Sequence, residues 1–121
     1  MRNFRDLKIW KRSFKLANNI YEQSKGMPND EKFGLTSQIR RSAVSIPSNI
    51  AEGCSRRTNK DFTRFLEIAL GSSFELETQL MFVYECIMLE NKKVEVILHE
   101  LNQIQKMINS FRSQLKTQTD S

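Results

Sequence analysis

The spacing of apolar residues between Phe62 and Ile87 constrains this chain more than any other feature. Phe62, Leu66, Ala69, Ser73, Leu76, Leu80, Val83 and Ile87 alternate at intervals of four and three. Sustained over about seven turns, that alternation marks one long amphipathic helix lying along a seam. Such a helix needs cover along its whole inner face, and the rest of the chain must supply it. Val94, Ile97, Leu101, Ile104, Ile108, Phe111 and Leu115 repeat the pattern. Nearer the start, Leu7, Trp10, Phe14, Ala17 and Tyr21 form a shorter stripe. Between them, Leu35, Ile39, Ser42, Ile46, Asn49 and Gly53 form a less oily one.

Few breaks separate these stripes, since the chain has only four glycines and two prolines and no alternating β-branched run. The spacing predicts helices over about 6–25, 30–53, 59–90 and 92–116, with 118–121 as a polar tail. Gly26-Met27-Pro28-Asn29-Asp30 ends the first helix and offers a cap for the second. Thr58 and Asp61 have capping-box spacing at the start of the third. Short connections favour an all-α, antiparallel up-down-up-down four-helix bundle over residues 1–117. Gly71-Ser72-Ser73 is expected opposite Ser42 and Ala43, small facing small. Pro47 stands inside the second helix, where it removes a hydrogen bond at a cost of about 3 kcal/mol unless its surroundings compensate.

At 121 residues the chain fits one domain with a core that needs no disulfide. Cys54 and Cys86 lack zinc-site spacing and read as free, buried or semi-buried thiols. His99 is the only histidine, on a polar helix face four residues after Glu95, with no nucleophile at diagnostic spacing. No phosphate loop or Glu-x-x-His pair occurs. These observations point away from an enzyme, a metal site and a cofactor. With no signal-like segment and no apolar run of about 20 residues, a cytoplasmic protein without a membrane partner is expected.

The net charge is +5, and its distribution is uneven. Between Thr36 and Arg64 there are six basic residues (Arg40, Arg41, Arg56, Arg57, Lys60, Arg64) against two acidic ones (Glu52, Asp61). Near one hairpin end they could neutralise phosphates of RNA or DNA without reading sequence. The alternative is a solvated face in which Arg41 and Arg64 pair with carboxylates such as Glu67 and Glu75. Gln38, Ser45 and Glu52 recur at intervals of seven beside Asn49. They read as a buried polar network that fixes helix register, or as part of a small anion or metal site.

The third helix carries more apolar surface than one bundle can bury. Phe74, Met81 and Met88 align on one outer row and Ile68, Phe82 and Leu89 on the next, while Ile9, Leu16 and Ile20 lie off the first helix's main stripe. A patch of this kind favours a homo-oligomer joined through the first and third helices; a wider monomeric core is the alternative.

From Phe4 to about Leu115 the chain resembles the bacterial four-helix-bundle proteins first described as encoded within intervening sequences of large-subunit ribosomal RNA genes. The resemblance rests on Leu7 and Trp10, on Gly34-Leu35 with Gln38, and on Arg40-Arg41-Ser42-Ala43. Ser45-Ile46-Pro47-Ser48-Asn49-Ile50-Ala51-Glu52-Gly53, Phe62, Phe65-Leu66, Ala69, Gly71-Ser72 and Glu75-Leu76-Glu77-Thr78-Gln79-Leu80 complete it. It implies a ring, typically of five subunits, and no catalytic activity. A similar bundle serves as the accessory protein of diversity-generating retroelements, where a basic ring surface engages nucleic acid and a reverse transcriptase; a protein partner is thus also implied. This chain departs from the pattern after the third helix, reading Met88-Leu89-Glu90-Asn91 where relatives often place a glycine.

Overall fold

A computed structural model describes residues 2–118; most of the polar tail expected over 118–121 lies outside them. The described residues form four α-helices and no strand: α1 Lys8–Gln23, α2 Leu35–Cys54, α3 Asn59–Glu85 and α4 Asn91–Lys116. Single 3-10 turns occupy Phe4–Asp6, Ser24–Gly26 and Asn29–Glu31. α2 packs against α1 and α3, and α4 closes the bundle against both α3 and α1. Ile20, Ile46, Leu66 and Leu101, one from each helix, meet in a single buried core.

α1 is rotated relative to the stripe expected for it. Ile9, Leu16 and Ile20 are buried in the core, whereas Phe14 and Tyr21 are nearly half exposed. These three aliphatic residues are therefore not available to a neighbouring copy. Two overlapping stripes share Ala17, and the compact aliphatic one goes inward. The large rings cover the α1–α2 boundary, where Trp10 stacks on Phe14 at 4.8 Å between centroids and Tyr21 keeps its polar end in water.

α2 starts five residues later than expected. Asn29–Glu31 forms its own 3-10 turn, and the Glu31 carboxylate accepts from the amide of Leu35, the first residue of α2. The helix then runs unbroken through buried Pro47. Beyond it, the Asn49 amide donates to the Ser45 carbonyl at 2.8 Å and to its hydroxyl at 3.0 Å.

α3 ends at Glu85 rather than near 90 because Ile87 takes a left-handed conformation, φ 52°. The Met88 amide donates back to Val83 and that of Ile87 to Tyr84, the paired bonds of a Schellman ending. The position usually given to glycine is thus Ile87. Met88 and Leu89 fold back half-buried against the core, with Leu89 covering Gly26, so they too leave the expected outer face. Ile68, Phe74, Met81 and Phe82 do remain exposed.

The close approach of α2 and α3 lies at Gly53, where a Cβ would sit 2.7 Å from the Phe62 ring. Gly71 has open space around it. Ser72 meets Ser45 at 2.8 Å, and Ser42 donates to Gln79 at 2.7 Å. The small residues of α3 therefore face Ser45 rather than Ser42 and Ala43.

Candidate nucleic-acid interface

The α2–α3 turn gathers four of the six cations singled out in the sequence. α2 ends at Cys54, and Thr58 caps α3 by accepting from the Asp61 amide at 3.1 Å. The intervening residues place Arg56 and Arg57 on the surface, followed within two turns of α3 by exposed Lys60 and Arg64. Buried Phe65 organises this group. The Arg56 guanidinium lies 4.7 Å and that of Arg64 5.5 Å from the ring centroid, each contact contributing about 0.5–1 kcal/mol at an exposed site. Arg56 also donates to Glu52 at 2.8 Å.

Arg40 and Arg41 do not join them. They stand towards the N-terminal end of α2, about 20 Å along the helix from its C-terminal end at 1.5 Å per residue. Arg40 is committed to α1, donating to the Ser24 hydroxyl at 2.8 Å and lying 4.9 Å from the Tyr21 ring centroid. Arg41 is exposed.

The expected polar network divides. Ser45 and Asn49 bond to each other, and Ser45 reaches Ser72 across the helix boundary. Gln38 and Glu52 are exposed, and Glu52 is held by Arg56. A seven-residue interval does place Gln38 and Glu52 on one flank of α2, yet that flank opens to solvent at both ends. The buried amide is instead Gln79 of α3, bonded to Ser42. The run Glu75 to Leu80 contained that residue, but no spacing rule marked it.

Three further cations reach the same end of the molecule. Arg2 donates its backbone amide to Cys54 at 3.0 Å, and its guanidinium lies over the Phe62 and Phe111 rings. The C-terminal part of α4 brings Arg112 and Lys116 against Glu67, at 3.0 and 3.2 Å. Hydrogen bonding from Lys116, with help from Arg112, holds the Glu67 carboxyl below its ordinary value. Glu67 is therefore engaged by α4 and not by Arg41 or Arg64. Cys54 is buried here, and desolvation raises its thiol pKa against the opposing field of Arg2; Cys86 is free as expected but exposed. Among the described residues no group of three or more His, Cys, Asp or Glu side chains could hold a metal ion. His99 is exposed.

Residues 5–110 match the profile of the 23S rRNA-intervening sequence proteins. The chain belongs to that family. Among solved structures, the intervening-sequence fold is similar to a Bacteroides thetaiotaomicron protein of unknown function from the S23 ribosomal protein family. The TM-score is 0.80 at 28% identity, covering 86% of this chain and 97% of the other. Curated proteins give no match. The family match includes the four cations at the turn and leaves Arg2, Arg112 and Lys116 outside it. No described helix is long and apolar enough to cross a membrane.

Proposed function

We propose that this protein is a non-catalytic, cytoplasmic scaffold. In this reading the helices alternate up and down, copies join into a ring of five, and the basic end of each bundle meets the phosphate backbone of RNA or DNA. The observation that carries it is the pair of arginines seated on Phe65 beside Arg57. A hydrophobic platform that fixes two guanidiniums lowers the entropy lost when they bind phosphate bidentately. No aromatic ring is exposed among them, so backbone contact without base stacking is the mode they favour.

The test is duplex RNA and DNA binding by anisotropy over a salt series. Three to four phosphate contacts give a slope of log affinity against log salt of about −3, close to −0.9 per contact. The double variant R57E/R64E should flatten that slope by roughly two units. Binding that ignores salt, or that never appears, removes the nucleic-acid role. A second reading, in which a protein docks on the bundle, is favoured by Phe33, 90% exposed in the α1–α2 connection. F33A would then abolish capture of that partner and leave duplex affinity unchanged.

A further inference from the structure

Among the apolar surfaces that the described residues leave in water, two lie on different sides of the bundle. One is a groove of about 210 Å³ between α1 and α2, formed by Trp10, Phe14, Tyr21, Val44 and Pro47. The other is a ridge on α3, where Phe74, Met81 and Phe82 are each more than half exposed. Phe74 and Met81 stand seven residues apart and so lie one above the other along the helix. They share the flank of α3 on which Gln105 of α4 reaches the Ser73 carbonyl and Glu77. The opposite flank faces α2, as the Ser72–Ser45 and Gln79–Ser42 bonds record. The ridge therefore points away from the groove.

Charge separates the two surfaces as clearly as position does. From Phe65 to Asn91 the chain carries five glutamates and no lysine or arginine. Two of those five, Glu75 and Glu85, are exposed beside the ridge. From Lys32 to Ala51 the balance is reversed: Lys32, Arg40 and Arg41 occur with no carboxylate. Arg40, held over Tyr21 by its bond to Ser24, fixes one positive charge at the groove. Groove against groove would bring like charges together, as would ridge against ridge, and such contacts cost several kcal/mol. Groove against ridge brings opposite charges around an apolar centre.

We infer that the α3 ridge of one copy docks in the α1–α2 groove of the next, with Glu75 and Glu85 meeting the basic margin that includes Arg41. This rests on the homo-oligomer reading and specifies its contact. Because groove and ridge face different ways, a two-fold axis cannot satisfy both pairings between the same two molecules. The contact is heterologous, and each added copy leaves one groove and one ridge free until the assembly closes.

Complementation with the full chain tests this by light scattering at micromolar concentration. A groove variant, F14E/V44E, and a ridge variant, F74K/M81K, should each run as single 14.2 kDa chains. Mixed in equal amounts they should give a particle of twice that mass and nothing larger, since one intact groove then faces one intact ridge. A wild-type chain that is itself monomeric overturns the oligomer reading and this contact with it. A wild-type oligomer whose ridge variant keeps full size, or whose two variants fail to complement, overturns the contact alone. Surface charges provide a second measurement that leaves the apolar packing intact. R41E, and separately E75K/E85K, should each weaken assembly by about tenfold or more. Combining them in one chain should recover most of that loss; no recovery overturns the contact.

Discussion

Gly53 and Gly71 are both glycines inside helices, and their surroundings predict opposite responses to alanine. At Gly53 an added methyl would lie 2.7 Å from Phe62 Cδ1 and 3.0 Å from the Phe65 Cβ. Both neighbours are buried, so relief requires moving α3. G53A should cost about 1–3 kcal/mol in denaturant unfolding, the range for overpacked sites. Displacing Phe65 should also disturb the seats of Arg56 and Arg64. At Gly71 nothing lies within 4 Å, and G71A should stabilise α3 by about 0.5–1 kcal/mol through helix propensity alone. Equal effects at the two sites would contradict this packing. Ile87 presents a different local cost: a β-branched side chain held at φ 52°. Backbone strain of this kind is worth about 1–3 kcal/mol. I87G should therefore raise the unfolding midpoint by the equivalent of about 1 kcal/mol, even though 74% of this side chain's surface is already in water. A lower midpoint would show that the turn does not need the left-handed position.

Between helices, one polar pairing and one ion pair are open to measurement. Ser42 donates to Gln79, and its hydroxyl also lies 3.1 and 3.2 Å from the Gln38 and Ile39 carbonyls. S42A removes the donor to the buried Gln79 oxygen and should cost about 1–3 kcal/mol. S42A/Q79L, which removes both partners, should recover much of that loss in the same unfolding assay. Arg12 joins α1 to α4 by donating twice to Glu100, at 2.9 and 2.6 Å. That hydrogen bonding holds the Glu100 carboxyl below its ordinary value of 4.5. The lowered carboxyl contributes stability that is complete above the ordinary value and disappears as pH falls through the lowered one. Both groups are more than a third exposed, so screening limits the contribution to no more than about 1 kcal/mol. E100Q should therefore lower stability near pH 7 by up to about 1 kcal/mol and flatten the acid limb below about pH 4.5, where the two proteins converge. The heptad seams of α3 and α4 were legible from the sequence, because a long helix with one buried stripe admits a single register; Ile87, expected to close the α3 seam, instead lies past the helix end and is exposed. α1 was not legible, since its aliphatic stripe (Ile9, Leu16, Ile20) and its aromatic one (Trp10, Phe14, Tyr21) are centred about 100° apart and overlap at Ala17 on a helix of 16 residues. Only the packed neighbours decide between them. The cations at the turn were found by counting charge, but the count could not separate Arg40, pinned to Ser24, from Arg56 and Arg64, seated on Phe65.

At the scale of the whole molecule, the α2–α3 turn, the N-terminal segment and the end of α4 converge, so cations from distant parts of the chain share one surface. That convergence was invisible to sequence reading because Arg2 meets Cys54 and Phe111 only after the bundle closes. A single bundle offers few phosphate contacts and should hold nucleic acid weakly. Repetition in an assembly changes the expectation, because a second bundle can engage the same duplex without paying the full entropy of a new encounter. Duplex length then becomes the variable that separates one bundle from a ring. A duplex of about 10 base pairs spans about 34 Å, one helical turn, and should bind the wild type and the ridge variant F74K/M81K alike when affinity is expressed per chain. A duplex of about 40 base pairs should bind the wild type at least tenfold more tightly than that variant, since avidity in linked sites reaches 10² to 10⁴. Equal affinity of the two proteins for the longer duplex would mean that each bundle acts alone, whatever its state of assembly.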